Sequence, residues 1–158
     1  MSKLVAYFSA SGSTAKLAQT LTTAADAAQY EIRPAVPYER RDLNWMDKKA
    51  RSTVEMQDPD CRPAMADKAA PVADADVIFL GFPIWWYREP SIIDSFLDAY
   101  DLTGKTVVPF FTSGGSQLGE GQARIEKLAK GAKVLSGRRF SAGAAEAELR
   151  SWISGLNL

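Results

Sequence analysis

Five short apolar runs punctuate the chain. Four of them lead through a turn directly into apolar residues at helical spacing. The first is Lys3-Leu4-Val5-Ala6-Tyr7-Phe8, which stops at Ser9-Ala10-Ser11-Gly12-Ser13-Thr14. Leu17, Leu21, Ala24, Ala25 and Ala28 then recur at three- and four-residue intervals. The pattern predicts a strand over 3–8 and a helix over 13–28 whose stripe packs into a core. Tyr30 to Pro34 reads as a second strand, ended by Pro34 and Pro37. Val77 to Gly81 is apolar throughout, as a strand covered on both faces should be. After the loop 82–90 comes a helix over 91–100, with Ile92, Ile93, Phe96, Leu97 and Tyr100 on one face. Thr106 to Phe111 is the fourth strand, and the loop 112–121 leads into a helix ending near Lys130. A fifth strand is expected over 133–138 and a closing helix over 144–156, with Ala145, Leu149, Trp152, Ile153 and Leu156 facing in.

Residues 38–70 break this rhythm. They are polar, mixed in charge, and contain Pro59, Cys61 and Pro63. Leu43, Met46, Ala50 and Val54 keep helical spacing, so a short amphipathic helix is expected over 42–54. The remainder reads as an ordered insertion between strands two and three, with Tyr38 and Trp45 packing down on the domain or one of them reaching a ligand.

Strands alternating with helices make an α/β fold of three layers: a parallel sheet with helices on both faces and right-handed crossovers. In such sheets ligands sit beyond the carboxyl ends of the strands. The loops 9–14, 82–90 and 112–121 all follow strands, so they converge on one edge although they lie far apart in sequence.

Composition narrows the chemistry. A chain of 158 residues is enough for one domain with a substantial core, here taken as residues 1–158. Lys and Arg number 19, as do Asp and Glu, so no net field favours nucleic acid or an anionic membrane. There is no histidine. That removes Ser-His-Asp and Cys-His catalysis, His-based acid/base work and His-ligated metal. A lone cysteine excludes an internal disulfide and fits a reducing, cytoplasmic compartment. Nothing at the N-terminus resembles a signal peptide, and no apolar run reaches the ~20 residues that cross a bilayer. Chemistry is therefore expected from something bound.

The three loops say what that is. Backbone N–H groups at a helix start, with serine and threonine hydroxyls beside them, form a phosphate cradle that needs no lysine or arginine. Trp85-Trp86-Tyr87 on a polar loop cannot all face inward, and at least one is free to cover a flat ring. Four glycines in the third loop let backbone donors approach a ligand closely. A phosphate at one end and a planar polar ring at the other suggest a mononucleotide, and flavin mononucleotide (FMN) suits them best.

The chain resembles the flavodoxins, in the branch carrying Gly81-Phe82-Pro83-Ile84-Trp85-Trp86 after strand three and Thr112-Ser113-Gly114-Gly115-Ser116 after strand four. The resemblance covers nearly the whole chain and is weakest across 38–70. It implies a five-stranded sheet of order 2-1-3-4-5. It assigns the FMN phosphate to Ser9, Ser11, Gly12, Ser13 and Thr14. It assigns the ring to Pro83, Ile84, Trp85 and Trp86 on one side, and to Thr112, Ser113, Gly114, Gly115, Ser116 and Gly119 on the other. Ser11 stands where flavodoxins usually carry threonine, and the hydroxyl is kept. No Gly-Lys-Ser/Thr ending is present, which argues against nucleotide triphosphates. Flavodoxins are also commonly acidic, whereas this chain is neutral.

Three functions follow from the resemblance and the loops. They are an electron carrier between redox partner proteins, an FMN-dependent NAD(P)H:quinone-type oxidoreductase with a small-molecule acceptor, and a non-redox phospho-ligand domain. Neither nucleic acid nor membrane is expected as a partner. Arg88 reads either as a solvated surface side chain or as a charge near the ring.

Overall fold

The computed structural model describes residues 1–158. Its elements are β1 (Lys3–Tyr7), α1 (Ser13–Ala25), β2 (Ala28–Glu31), α2 (Arg51–Gln57), β3 (Val77–Pro83), α3 (Ser91–Ala99), β4 (Thr106–Thr112), α4 (Gly121–Leu128), β5 (Lys133–Val134), β6 (Arg138–Arg139) and α5 (Glu146–Gly155). All strand pairings are parallel, in the order β2-β1-β3-β4-β5, with β6 also on β4. The α/β architecture and strand order are those expected.

Alternate residues of the strands feed two cores. Leu4, Ala6, Ile78 and Leu80 face Ile92, Phe96 and Ile125 of α3 and α4. Val5, Tyr7, Val77 and Phe79 face Leu17 and Leu21 of α1 and Leu149 and Trp152 of α5. The period of two along the strands sends successive side chains to opposite faces.

The fifth strand differs from expectation: its position is filled by two short segments, β5 and β6. Pro109 is the cause. Leu135 N–H donates to the Val107 carbonyl at 2.9 Å. The next rung calls for an N–H from Pro109, which has none. Gln122 of α4 fills the gap, its Nε2 donating to the Leu135 carbonyl at 3.0 Å and its Oε1 accepting from Gly137 N–H at 2.9 Å.

Other boundaries also shift. Helix α1 ends at Ala25, because Asp26 takes a left-handed conformation with φ 52°. The helix thus stops three residues short of its expected end, and Ala28 instead opens β2 and pairs with Leu4. Arg33 and Pro34 leave the sheet and pair instead with Met65 and Ala66 of the insertion. The helix expected over 42–54 is absent. A 3₁₀ turn occupies Arg40–Leu43 and α2 begins only at Arg51. Between them Asn44 Oδ1 accepts from Met46 N–H and Asp47 Oδ1 accepts from Lys49 N–H, bonds that compete with a helix. Ala50 is buried but Met46 and Val54 are exposed, so the spacing does not mark one buried face. Just before α5 the inward alanine is Ala144, and Ala145 is exposed.

Candidate functional site

The register of β1, β3 and β4 brings the three loops to one edge, and direct contacts fasten them there. Phe8 N–H donates to the Gly81 carbonyl at 2.9 Å, and Ile84 N–H donates to the Thr112 carbonyl at 3.0 Å. The hydroxyls of Thr14 and Thr112, both buried, bond each other at 2.8 Å. That contact joins the first loop to the third. Tyr87 and Gly119 join the second to the third: a Cβ on Gly119 would lie 2.9 Å from the Tyr87 carbonyl oxygen. Gly119 also sits at φ 56°, where a side chain is strained. Gly119→Ala is expected to cost about 1–2 kcal/mol from backbone strain alone, read by urea unfolding.

In the first loop Ser9 Oγ accepts from Gly12 N–H and from Ala15 N–H, each at 3.1 Å. Its own proton is left free to donate. Gly12 takes φ 96° as the residue before α1, and the first turn of α1 carries no acidic side chain. Ser11, Gly12 and Ser13 are exposed, and Ser13 and Thr14 open the helix with N–H groups that have no partner within it. Their donors and the positive end of the helix dipole suit an anion. Thr14 presents its backbone N–H here, and its hydroxyl also bonds that of Thr112.

The second loop is a tight reversal. Trp85 and Arg88 bond each other in both directions, N–H to carbonyl, at 3.0 and 3.2 Å. Between them Trp86 and Tyr87 hold φ 48° and 63°. Two residues at positive φ are the mark of a mirror-image turn that ordinarily takes Asn-Gly. Aromatic residues here store strain, and such strain collects at binding sites. Trp85 packs edge-on against Phe8 and Tyr38, at centroid separations of 5.7 and 5.4 Å. Trp86 and Tyr87 stay exposed. Thus one member of the triplet anchors the loop and two remain available.

Arg88 is not a solvated surface side chain. It is buried, with its guanidinium donating to the carbonyls of Glu89 and Met56. It lies 3.5 Å from Asp94, which also meets Arg124 at 2.6 Å and Arg62 at 3.7 Å. Glu89 and Asp94 are both fully buried, and Glu89 Oε1 and Asp94 Oδ1 lack any other partner. Burial first, then the adjoining Asp94 carboxylate, push the Glu89 carboxyl up to about 8. A proton on Glu89 relieves the repulsion between two buried carboxyls. The cluster ties the second loop to α3, α4 and the insertion.

In the third loop Ser113 Oγ donates to the Ser116 carbonyl at 2.6 Å and accepts from Gly115 N–H at 3.3 Å. Arg139, unforeseen from sequence, donates to the Ser113 carbonyl at 2.9 Å and 3.2 Å. Gly114, Gly115 and Ser116 are exposed, and nothing lies within 4 Å of a Cβ on either glycine, so ligand atoms have room there.

The insertion supplies what sequence reading missed. Trp45 is 70% exposed rather than packed down. With Leu43 and Ser52 it faces Ile84, Trp85, Trp86, Tyr87 and Ser116 across an open cleft of about 490 Å³. Tyr38 does pack, stacked under Arg51 at 3.8 Å and donating to Glu55. Burial holds its phenol well above the usual range. Cys61 is half-buried, and burial, then Glu55 and Asp58, raise its thiol, which leaves it a poor nucleophile.

The flavodoxin family profile matches residues 2–156. The chain belongs to the flavodoxin family. Among solved structures it is similar to a candidate flavoprotein from Bacteroides eggerthii, at 42% identity over 99% of this chain and 98% of that one, with a TM-score of 0.93. A second, from Bacteroides uniformis, is also 42% identical, covers 97% of both chains and superposes with a TM-score of 0.91. A flavoprotein from Lactobacillus acidophilus, solved in complex with FMN, shares the fold at 22% identity and a TM-score of 0.75, over 96% of this chain and 98% of that one. No protein in the curated set matches. Against the flavodoxin frame, no helix here is long and apolar enough to cross a membrane.

Proposed function

We propose that this flavodoxin binds FMN and carries electrons between redox partner proteins. The observation that carries the reading is the fastening of three separate loops into one cradle, an anion seat at one end and exposed aromatic faces at the other. The residues fit the group. Ser9, Ser11, Gly12, Ser13 and the Thr14 N–H would hold the phosphate. Pro83 through Trp86 would line one side of the ring, and Thr112 through Ser116 with Gly119 the other. Bound FMN supplies the capacity to take up and release electrons singly or in pairs.

The protein's own part is to bind, shield and orient. The phosphate seat is neutral in side chains, so it gains affinity from N–H and hydroxyl donors rather than from charge pairing. Trp85 is locked by Phe8 and Tyr38, so the wall it forms is set before binding. Arg88 is confined to its acidic cluster and places no free cation on the ring. With equal numbers of basic and acidic residues, partner docking does not draw on a strong net field. A cytoplasmic setting accords with the single thiol.

Calorimetric titration of the apoprotein tests the seat. FMN is expected to bind more tightly than riboflavin by about two orders of magnitude, since hydrogen bonds to a charged group contribute about 1.5–3 kcal/mol each. Equal affinities would remove the phosphate assignment. An anaerobic titration of the FMN-loaded protein with dithionite, then NADPH, separates the roles. Two resolved one-electron steps with slow NADPH oxidation are expected. A single two-electron step with rapid NADPH oxidation would replace the carrier by an NAD(P)H:quinone-type oxidoreductase.

A further inference from the structure

The cleft at the aromatic turn is lined on one side by Ile84, Trp85, Trp86 and Ser116, residues already given to the FMN ring. Its other side is Leu43, Trp45 and Ser52. These three belong to the insertion, not to any of the loops that follow strands. No charged side chain lines the cleft. Ser52 is only 1% exposed, and its hydroxyl has no hydrogen-bond partner. A buried hydroxyl left unpaired is costly, so a ligand atom that meets it is favoured.

The short helix that carries Ser52 is held in place from both ends. Seven residues make α2 too short to stand alone. At its end Arg88 donates to the Met56 carbonyl at 3.2 Å, and Ser91 Oγ donates to the Glu55 carbonyl at 3.4 Å. At its start Arg51 donates to the Val36 carbonyl at 2.7 Å and lies over Tyr38, which packs on Trp85. Ser52 is thus fixed to the same frame as Trp85.

We infer that the insertion is a fourth wall of the FMN site, in which Ser52 hydrogen-bonds the polar edge of the isoalloxazine ring and Trp45 covers it. This wall presupposes the FMN binding proposed above, but none of the three loops supplies it. The oxidised ring is flat and uncharged, as an uncharged cleft with aromatic sides requires. Its edge carries carbonyl oxygens and ring nitrogens. A hydroxyl can serve either, donating to a carbonyl or accepting from a ring N–H.

Calorimetric titrations of the apoprotein with FMN and with riboflavin test the wall. Ser52→Ala should weaken both ligands about fivefold, the loss of one neutral hydrogen bond, because the two share the ring. Trp45→Ala, at an exposed position that the fold does not need, should weaken both at least as much. The ratio of FMN to riboflavin affinity should stay that of the parent, since the phosphate seat sets it. The melting temperature of the Ser52→Ala apoprotein should not fall, because the hydroxyl removed has no partner in the fold. Amide hydrogen exchange over residues 43–57 should slow when FMN binds. Parent affinities in both variants, with exchange over 43–57 unaltered, would overturn the wall and leave the FMN reading standing. A lower melting temperature for the Ser52→Ala apoprotein would also overturn the role of Ser52, whose hydroxyl would then serve the fold. A parent apoprotein that takes up no FMN would remove the function proposed above and this wall together.

Discussion

Arg124→Ala is expected to destabilise the protein by about 3–5 kcal/mol, the usual loss when one member of a buried ion pair is removed. For a chain of this length that is a fall in melting temperature of about 10 °C. Arg124 donates from Nε to Glu89 at 3.2 Å and from its terminal nitrogen to Asp94 at 2.6 Å. Both acids are fully buried. A second terminal bond reaches the Pro59 carbonyl at 3.1 Å, so the same guanidinium also pins the insertion. Without it two carboxyls face only Arg88 and the longer contact from Arg62. Arg124→Lys should recover only part of the loss, because an ammonium lacks the planar fork that meets both acids at once. Differential scanning calorimetry of the three proteins decides the matter. A shift of less than 2 °C for the alanine variant would mean that water already serves these acids.

Glu89→Gln should stabilise the protein at pH 8 and flatten its dependence on pH. The sign follows from where the proton sits. In the folded chain Glu89 keeps its proton up to about pH 8. In the unfolded chain an ordinary glutamate releases it near 4.3. Between those limits the folded state binds the extra proton, so stability falls as pH rises, by up to about 1.4 kcal/mol per pH unit. Glutamine preserves the shape, offers an N–H to Asp94 and cannot titrate. Urea unfolding across the window from pH 5 to 8 should show the parent losing stability steadily and the variant losing less. The opposite slope, with the variant weaker at pH 8, would mean that Glu89 is ionised and held by its arginines.

The parts of the fold legible in the sequence were those with local causes. Period-two burial and the apolar β3 placed the sheet, and the loops after β1, β3 and β4 converge as parallel strands require. Where competition is between side chain and backbone, the pattern misled. Leu43, Met46, Ala50 and Val54 keep helical spacing, but Asn44 and Asp47 take the N–H groups a helix would need. The acidic cluster was invisible because its members are joined across long stretches of chain: Arg124 is 35 residues from Glu89 and 65 from Pro59. Arg88 looked like surface for the same reason. Sequence alone leaves Trp45 between packing on the domain and reaching a ligand. Nothing local shows that its neighbours across the cleft are other aromatics from a distant turn.

The interrupted fifth strand has a consequence for solubility. An unbroken border strand offers a row of free amide and carbonyl groups on which a second molecule can add itself, the first step toward aggregation. Here that border is two segments of two residues each, parted by a stretch whose Leu135 carbonyl and Gly137 amide are already engaged by Gln122. One proline in β4 thus denies neighbouring molecules a template along this border.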